Sequence, residues 1–106
     1  MNIHPTIANY IAACNARDTS DLVACFTPDA TVIDEGKTHQ GHEEIRAWAD
    51  HSQASYSFTM VATKVEQKGE ATEVTCMVSG DFDGSPIDLK FLFSLSGDKI
   101  TSLKID

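Results

Sequence analysis

Basic residues are scarce in this sequence. Eight lysines and arginines stand against 16 aspartates and glutamates, a formal net charge of -8, which leaves no basic patch for a nucleic-acid backbone or an anionic membrane surface. Cysteines number only three. The count is odd and Cys14, Cys25 and Cys76 each have apolar or small neighbours, so a reduced, cytoplasmic compartment is expected rather than a disulfide framework. No charged-then-apolar leader and no long apolar run opens the chain. A Gly-rich phosphate loop, a nucleophile elbow and a Ser/His/Asp arrangement are all missing, which disfavours nucleotide chemistry and covalent catalysis. Without internal repeats or linkers, 106 residues suit one domain over 1–106. A domain of that size can leave a surplus apolar face for a partner subunit.

The hydrophobic pattern falls into two regimes. From 4 to about 16, Ile7, Ile11 and Cys14 recur at helical spacing with Pro5 at the first helical position, and Tyr10 falls on the same buried stripe. Thr19 or Ser20 caps a short second helix through Leu22, Val23 and Phe26, and Thr27-Pro28-Asp29 reads as the turn that ends it. A brief strand is predicted over 30–34. Glu35-Gly36-Lys37 then breaks it into a polar loop up to Gly41, after which Ile45, Trp48, Ala49 and Ser52 mark one face of a third helix whose first turn holds Glu43 and Glu44. Four strands are predicted after that, over 56–67, 72–82, 87–95 and 100–105, with turn residues between them that fit an antiparallel meander. In the third of these, Ile87, Leu89, Phe91, Phe93 and Leu95 share one face while Asp88 and Lys90 point the other way. Helices first and strands after imply an α+β fold with a sheet packed on helices.

Two polar residues in apolar surroundings are the candidate chemistry. Tyr10 in YIAACNARD and Asp34 in FTPDATVID offer a phenol to hold a developing oxyanion and a carboxylate to take a carbon-bound proton. Each also has a plain reading: a buried phenol needs only some partner for its hydroxyl, and Asp34 before Glu35 and Gly36 can be a solvated strand end. His39, His42 and His51 lack metal-ligand spacing, so no metal site is expected. His39 follows Asp34 closely enough to reach a pocket mouth. Trp48 suits a pocket wall.

The order of elements and the local strings resemble the nuclear transport factor 2-like (NTF2-like) superfamily, and within it the ketosteroid isomerase and SnoaL-like polyketide cyclase branch. The carrying residues are Tyr10, Asn15 and Asp18 in the first string, Phe26, Asp29, Ala30, Thr31, Val32 and Asp34 in the second, Gly41, Ile45, Arg46 and Trp48 in GHEEIRAW, and Phe91 with Phe93. The resemblance covers essentially the whole chain. It implies a cone, a strongly bent and mostly antiparallel sheet wrapped around N-terminal helices, with an apolar pocket at the open end and a homodimer through the outer sheet face.

By the same resemblance Tyr10 would donate a hydrogen bond to a substrate carbonyl and Asp34 would shuttle the proton, with no cofactor, in the arrangement for which ketosteroid isomerase is the type case. The isomerases' second, protonated acid falls on Leu89, with Asp88 one residue out of phase, and their auxiliary tyrosine falls on Ala49. The expected pocket is therefore Tyr10 and Asp34 with Trp48, Leu89, Phe91, Leu103 and His39 around them, holding a small hydrophobic carbonyl compound, steroid- or polyketide-like. Two readings follow: a proton-transfer isomerase or cyclase, or a non-catalytic ligand-binding or dimerisation module of the same fold. A limonene epoxide hydrolase-like activity ranks below both, since it needs a pocket arginine and Arg46 lies on the polar side of its helix.

Overall fold

The computed structural model describes residues 2–106. Three helices, α1 (Pro5–Ala16), α2 (Thr19–Ala24) and α3 (Gly41–Ser55), accompany six strands: β1 (Phe26–Asp34), β2 (Lys37–Gln40), β3 (Phe58–Lys68), β4 (Ala71–Gly80), β5 (Ile87–Ser96) and β6 (Lys99–Ile105). The strands form one strongly curled, unclosed sheet in the order β2-β1-β6-β5-β4-β3, parallel only between β1 and β6. This is the α+β cone that the resemblance implied.

The string YIAACNARD is largely a scaffold. Arg17 adopts the left-handed conformation that closes α1, and its guanidinium reaches the carbonyls of Gln53 and Tyr56 at the end of α3. Asp18, rather than Thr19 or Ser20, caps α2 by accepting from the Asp21 amide at 3.0 Å. Asn15 donates to the Met60 carbonyl at 2.9 Å and accepts from the Met60 amide at 2.8 Å. Because β3 pairs only with β4, those Met60 groups face the open edge of the sheet, and the amide of Asn15 takes the place of a neighbouring strand.

Two predicted breaks are strand instead. Thr27-Pro28-Asp29 belongs to β1, where the register jumps from Phe26 opposite Ile100 to Thr31 opposite Ser102. Four residues of β1 therefore face one of β6, and a proline is tolerated in this bulge because no ladder hydrogen bond is asked of it. The polar segment before Gly41 is β2. Glu35 (φ 53°) and Gly36 (φ 75°) both have positive φ between the paired residues Asp34 and Lys37, the two-residue hairpin that matches the twist of its strands. Gly41 opens α3 at φ 84°, a conformation that explains a glycine in that string.

The core lies between the helices and the concave sheet face, with Ile7, Val32, Ile45, Val74, Phe93, Ile100 and Leu103 almost fully enclosed. On β5 the predicted alternation holds: Phe91 and Phe93 are buried and Asp88 and Lys90 are exposed. Val61 and Met77, paired across β3 and β4, are exposed.

Candidate functional site

A cavity of about 770 Å³, open on one side, lies between α1, α3 and the sheet. Its size suits a small organic ligand. Tyr10 and Asp34 both line it, as do Trp48, His39, Leu89 and Phe91. Leu103 does not. In the register of β5 against β6, Phe91 faces Ile105 and Phe93 faces Leu103, so the inward row of β6 meets the cavity through Ile105, and Leu103 sits one step deeper, 1 % exposed beside Val32.

Tyr10 is placed from α1 with its ring held by Phe26, Phe91 and Phe93 at centroid distances of 5.9, 6.5 and 5.5 Å. Its hydroxyl has the Cys14 thiol, one helical turn on, as its neighbour, and no oxygen or nitrogen partner among the described residues. Burial above all, then Cys14 and the nearby Asp34 carboxylate, keep the phenol protonated to a pH well above its ordinary range. It is therefore a donor at any physiological pH. Burial likewise pushes the Cys14 thiol up to about 12 and Cys76 to about 11, so these cysteines are inert, small apolar side chains rather than nucleophiles.

Asp34 is half-buried at the end of β1, on the inward side shared with Val32. Trp48 Nε1 donates to its Oδ2 at 3.0 Å, which fixes the carboxylate's direction and leaves the other oxygen unclaimed among the described side chains. The sequence showed Trp48 as wall alone. The missed signal was its N–H, since a half-buried indole on an apolar stripe still favours an acceptor and the carboxylate at the end of the facing strand is Asp34. His39, opposite Val32 on β2, lies with its ring 6.1 Å from that of Trp48. His42 is drawn elsewhere, 2.9 Å from the Phe26 carbonyl. Ala49 also lines the cavity.

A phenol whose hydroxyl meets the Cys14 thiol, with no oxygen or nitrogen partner among the described residues, and an oriented carboxylate thus share one mostly apolar cavity on a curled sheet. The family model for the SnoaL-like domain matches residues 7–103. The chain belongs to the SnoaL-like family, within the NTF2-like superfamily. Among solved structures, this SnoaL-like chain is 32 % identical to a candidate polyketide cyclase from Sinorhizobium meliloti, covering 98 % of this chain and 95 % of that one with a TM-score of 0.93. It is 22 % identical to a protein of ketosteroid isomerase-like fold from Catenulispora acidiphila, in complex with trimethylamine, over 99 % and 86 % of the chains at a TM-score of 0.86. SalBIII, an epoxide hydrolase/cyclase-like enzyme of pyran ring formation in salinomycin, is 23 % identical over 94 % and 85 % at a TM-score of 0.76. None of the curated proteins matches the chain in sequence.

The two arginines stand apart from the cavity. Arg17 is tied to the end of α3 and Arg46 is exposed, 3.5 Å from Ser20 Oγ. Among the described residues no cluster of three metal-ligating side chains forms and no helix is long and apolar enough to cross a membrane.

Proposed function

We propose that this one-domain cytoplasmic protein binds a small, hydrophobic carbonyl compound in the cavity and moves a proton on it as a cofactor-independent isomerase or cyclase. The observation that carries this reading is the convergence of Tyr10 and Asp34 on one cavity, with Trp48 orienting the carboxylate. Asp34 takes the proton from the carbon beside the carbonyl, Tyr10 donates to the oxygen as charge develops there, and Asp34 returns the proton to a second carbon. Leu89 is apolar where the isomerases carry a second donor. One missing donor typically costs about 2.7 to 4 kcal/mol of transition-state stabilisation, so the chemistry this site supports is slow or intrinsically easy enolisation.

The epoxide hydrolase-like alternative is disfavoured by the position of Arg17 and Arg46, neither of which lines the cavity. The second reading, a binding or dimerisation module without turnover, is favoured by that missing donor and by the exposed Val61 and Met77 on the outer face, where a second copy would cover them. The substitution Asp34→Asn separates the two. It keeps the shape and an acceptor for Trp48 Nε1 while removing the base, so turnover of a β,γ-unsaturated ketone should vanish with binding, read by the fluorescence of the single tryptophan, retained. Undiminished turnover would take Asp34 out of the mechanism, and a wild-type protein that binds without turning over would establish the module.

A further inference from the structure

Aromatic residues are few, yet they are concentrated in one place. The only tryptophan, both tyrosines and three of the five phenylalanines line the cavity: Trp48, Tyr10, Tyr56, Phe58, Phe82 and Phe91. Tyr56 and Phe82 meet edge to face at 6.0 Å, and Tyr56 is 47 % exposed, which puts this pair at the mouth rather than in the core. The charges of the lining are unbalanced as well. Asp34, Glu35 and Asp83 contribute three carboxylates against the one ammonium of Lys37, with His39 and His51 beside them. The ion pairs among the described residues are those of Glu66 with Lys64 and Lys68, so none of the three carboxylates is neutralised by a contact. Deeper in, the 98 % enclosed Tyr10 presents a hydroxyl that meets only the weakly accepting Cys14 thiol and has no oxygen or nitrogen partner among the described residues.

A neutral steroid-like ketone would use the phenol and leave the acidic, aromatic mouth idle. A cation there gains from both, because ring faces attract an ammonium group and replace part of the water it sheds, and field lines from unpaired carboxylates converge in a concave, low-dielectric mouth.

We infer that the cavity's ligand is a carbonyl compound bearing a cationic amine: its carbonyl oxygen accepts from Tyr10 and its ammonium group rests among Trp48, Tyr56, Phe82 and the carboxylates of Glu35 and Asp83. This rests on the reading of the cavity as a carbonyl-binding site and narrows its substrate class. It also divides the acids by task. Asp34 is held by Trp48 for the proton, while Glu35 and Asp83, on the β1–β2 and β4–β5 turns, supply charge alone.

The test is a matched pair of probes titrated against Trp48 fluorescence: acetylcholine, and 3,3-dimethylbutyl acetate, which has the same shape and ester carbonyl with carbon in place of the charged nitrogen. Acetylcholine should bind about tenfold more tightly at low salt, and the margin should shrink as ionic strength rises. The double variant Glu35→Gln/Asp83→Asn should collapse the margin to about twofold or less, and because the margin is a ratio taken on one protein, a general loss of affinity cancels. Tyr10→Phe should weaken both esters. If the neutral ester binds as well as acetylcholine, or the margin survives in the double variant, the inference is overturned while the carbonyl-binding reading stands. If neither ester binds, both fall.

Discussion

The contact between Asn15 and Met60 predicts a measurable loss. Asn15→Ala removes a donor and an acceptor at once and leaves the Met60 amide and carbonyl on the sheet edge without their partners at 2.8 and 2.9 Å. A net hydrogen bond is worth about 1 kcal/mol, and a buried group left unpaired costs about 1 to 3. Met60 is 4 % exposed, but Asn15 itself is exposed, so water reaches part of the vacated space and the lower end applies. The expected destabilisation is about 1 to 2 kcal/mol, a fall of roughly 4 to 10 °C in Tm for a domain near 100 residues. Urea unfolding followed by circular dichroism measures it, with Asn9→Ala, an exposed neighbour on the same helix, as the control expected within about 0.5 kcal/mol of wild type. Met60 lines the cavity and α1 carries Tyr10, so ligand affinity should fall together with stability. An Asn15→Ala variant indistinguishable from the control would show that water satisfies Met60, and the idea that a side-chain amide closes this sheet edge would be wrong.

Two further outcomes are expected. Leu89→Asp adds an acid to the cavity two residues before Phe91, on the face that meets Tyr10. Its apolar surroundings should hold it neutral, and turnover of a β,γ-unsaturated ketone should rise by up to about a hundredfold; an unchanged rate would mean that oxyanion stabilisation is not what limits this site. The second concerns alkaline stability. Cys14 is raised from 9.0 to about 12 by burial, so its contribution is fully present below pH 9 and is lost as pH rises towards 12, because the unfolded chain ionises first. Stability should fall by about 1.4 kcal/mol per pH unit per such group in that window, and Cys14→Ala should flatten the slope of urea midpoint against pH; an unaltered slope would remove Cys14 as its source.

Much of the fold was legible because the sheet's strong alternation and the first helix's stripe each bury one face. Leu89 lines the cavity at the parity that Phe91 and Phe93 set along β5. What escaped has physical reasons. The segment Lys37-Thr38-His39-Gln40 is polar throughout and forms a strand only because a Glu35-Gly36 hairpin lays it against β1. Pro28 looked like a terminator, and its acceptance depends on a bulge between β1 and β6 that no local pattern announces. Leu103 was expected at the cavity from its inward stripe and the family resemblance. Parity gives the face and not the depth, and only the pairing of Phe91 with Ile105 shows how far along the strand the cavity begins. The bond from Trp48 to Asp34 joins residues 14 positions apart on a helix and a strand, a tertiary distance that spacing cannot supply.

The last strand of this chain lies at the middle of its sheet. The hairpin of β1 and β2 and the meander of β3, β4 and β5 each close through neighbours in sequence, and β6 alone joins them, pairing with β1 on one side and β5 on the other. During synthesis, then, Asp34 and Phe91 ride on two separate half-sheets, each with a bare inner edge, until residues 99–105 arrive to seal the seam. The pairing of Ile33 with Lys104 spans most of the chain, and closing so long a loop late makes folding slow and leaves those edges open to other nascent copies. For this protein the hazard of aggregation falls before the final strand docks, and the cavity is completed all at once with it.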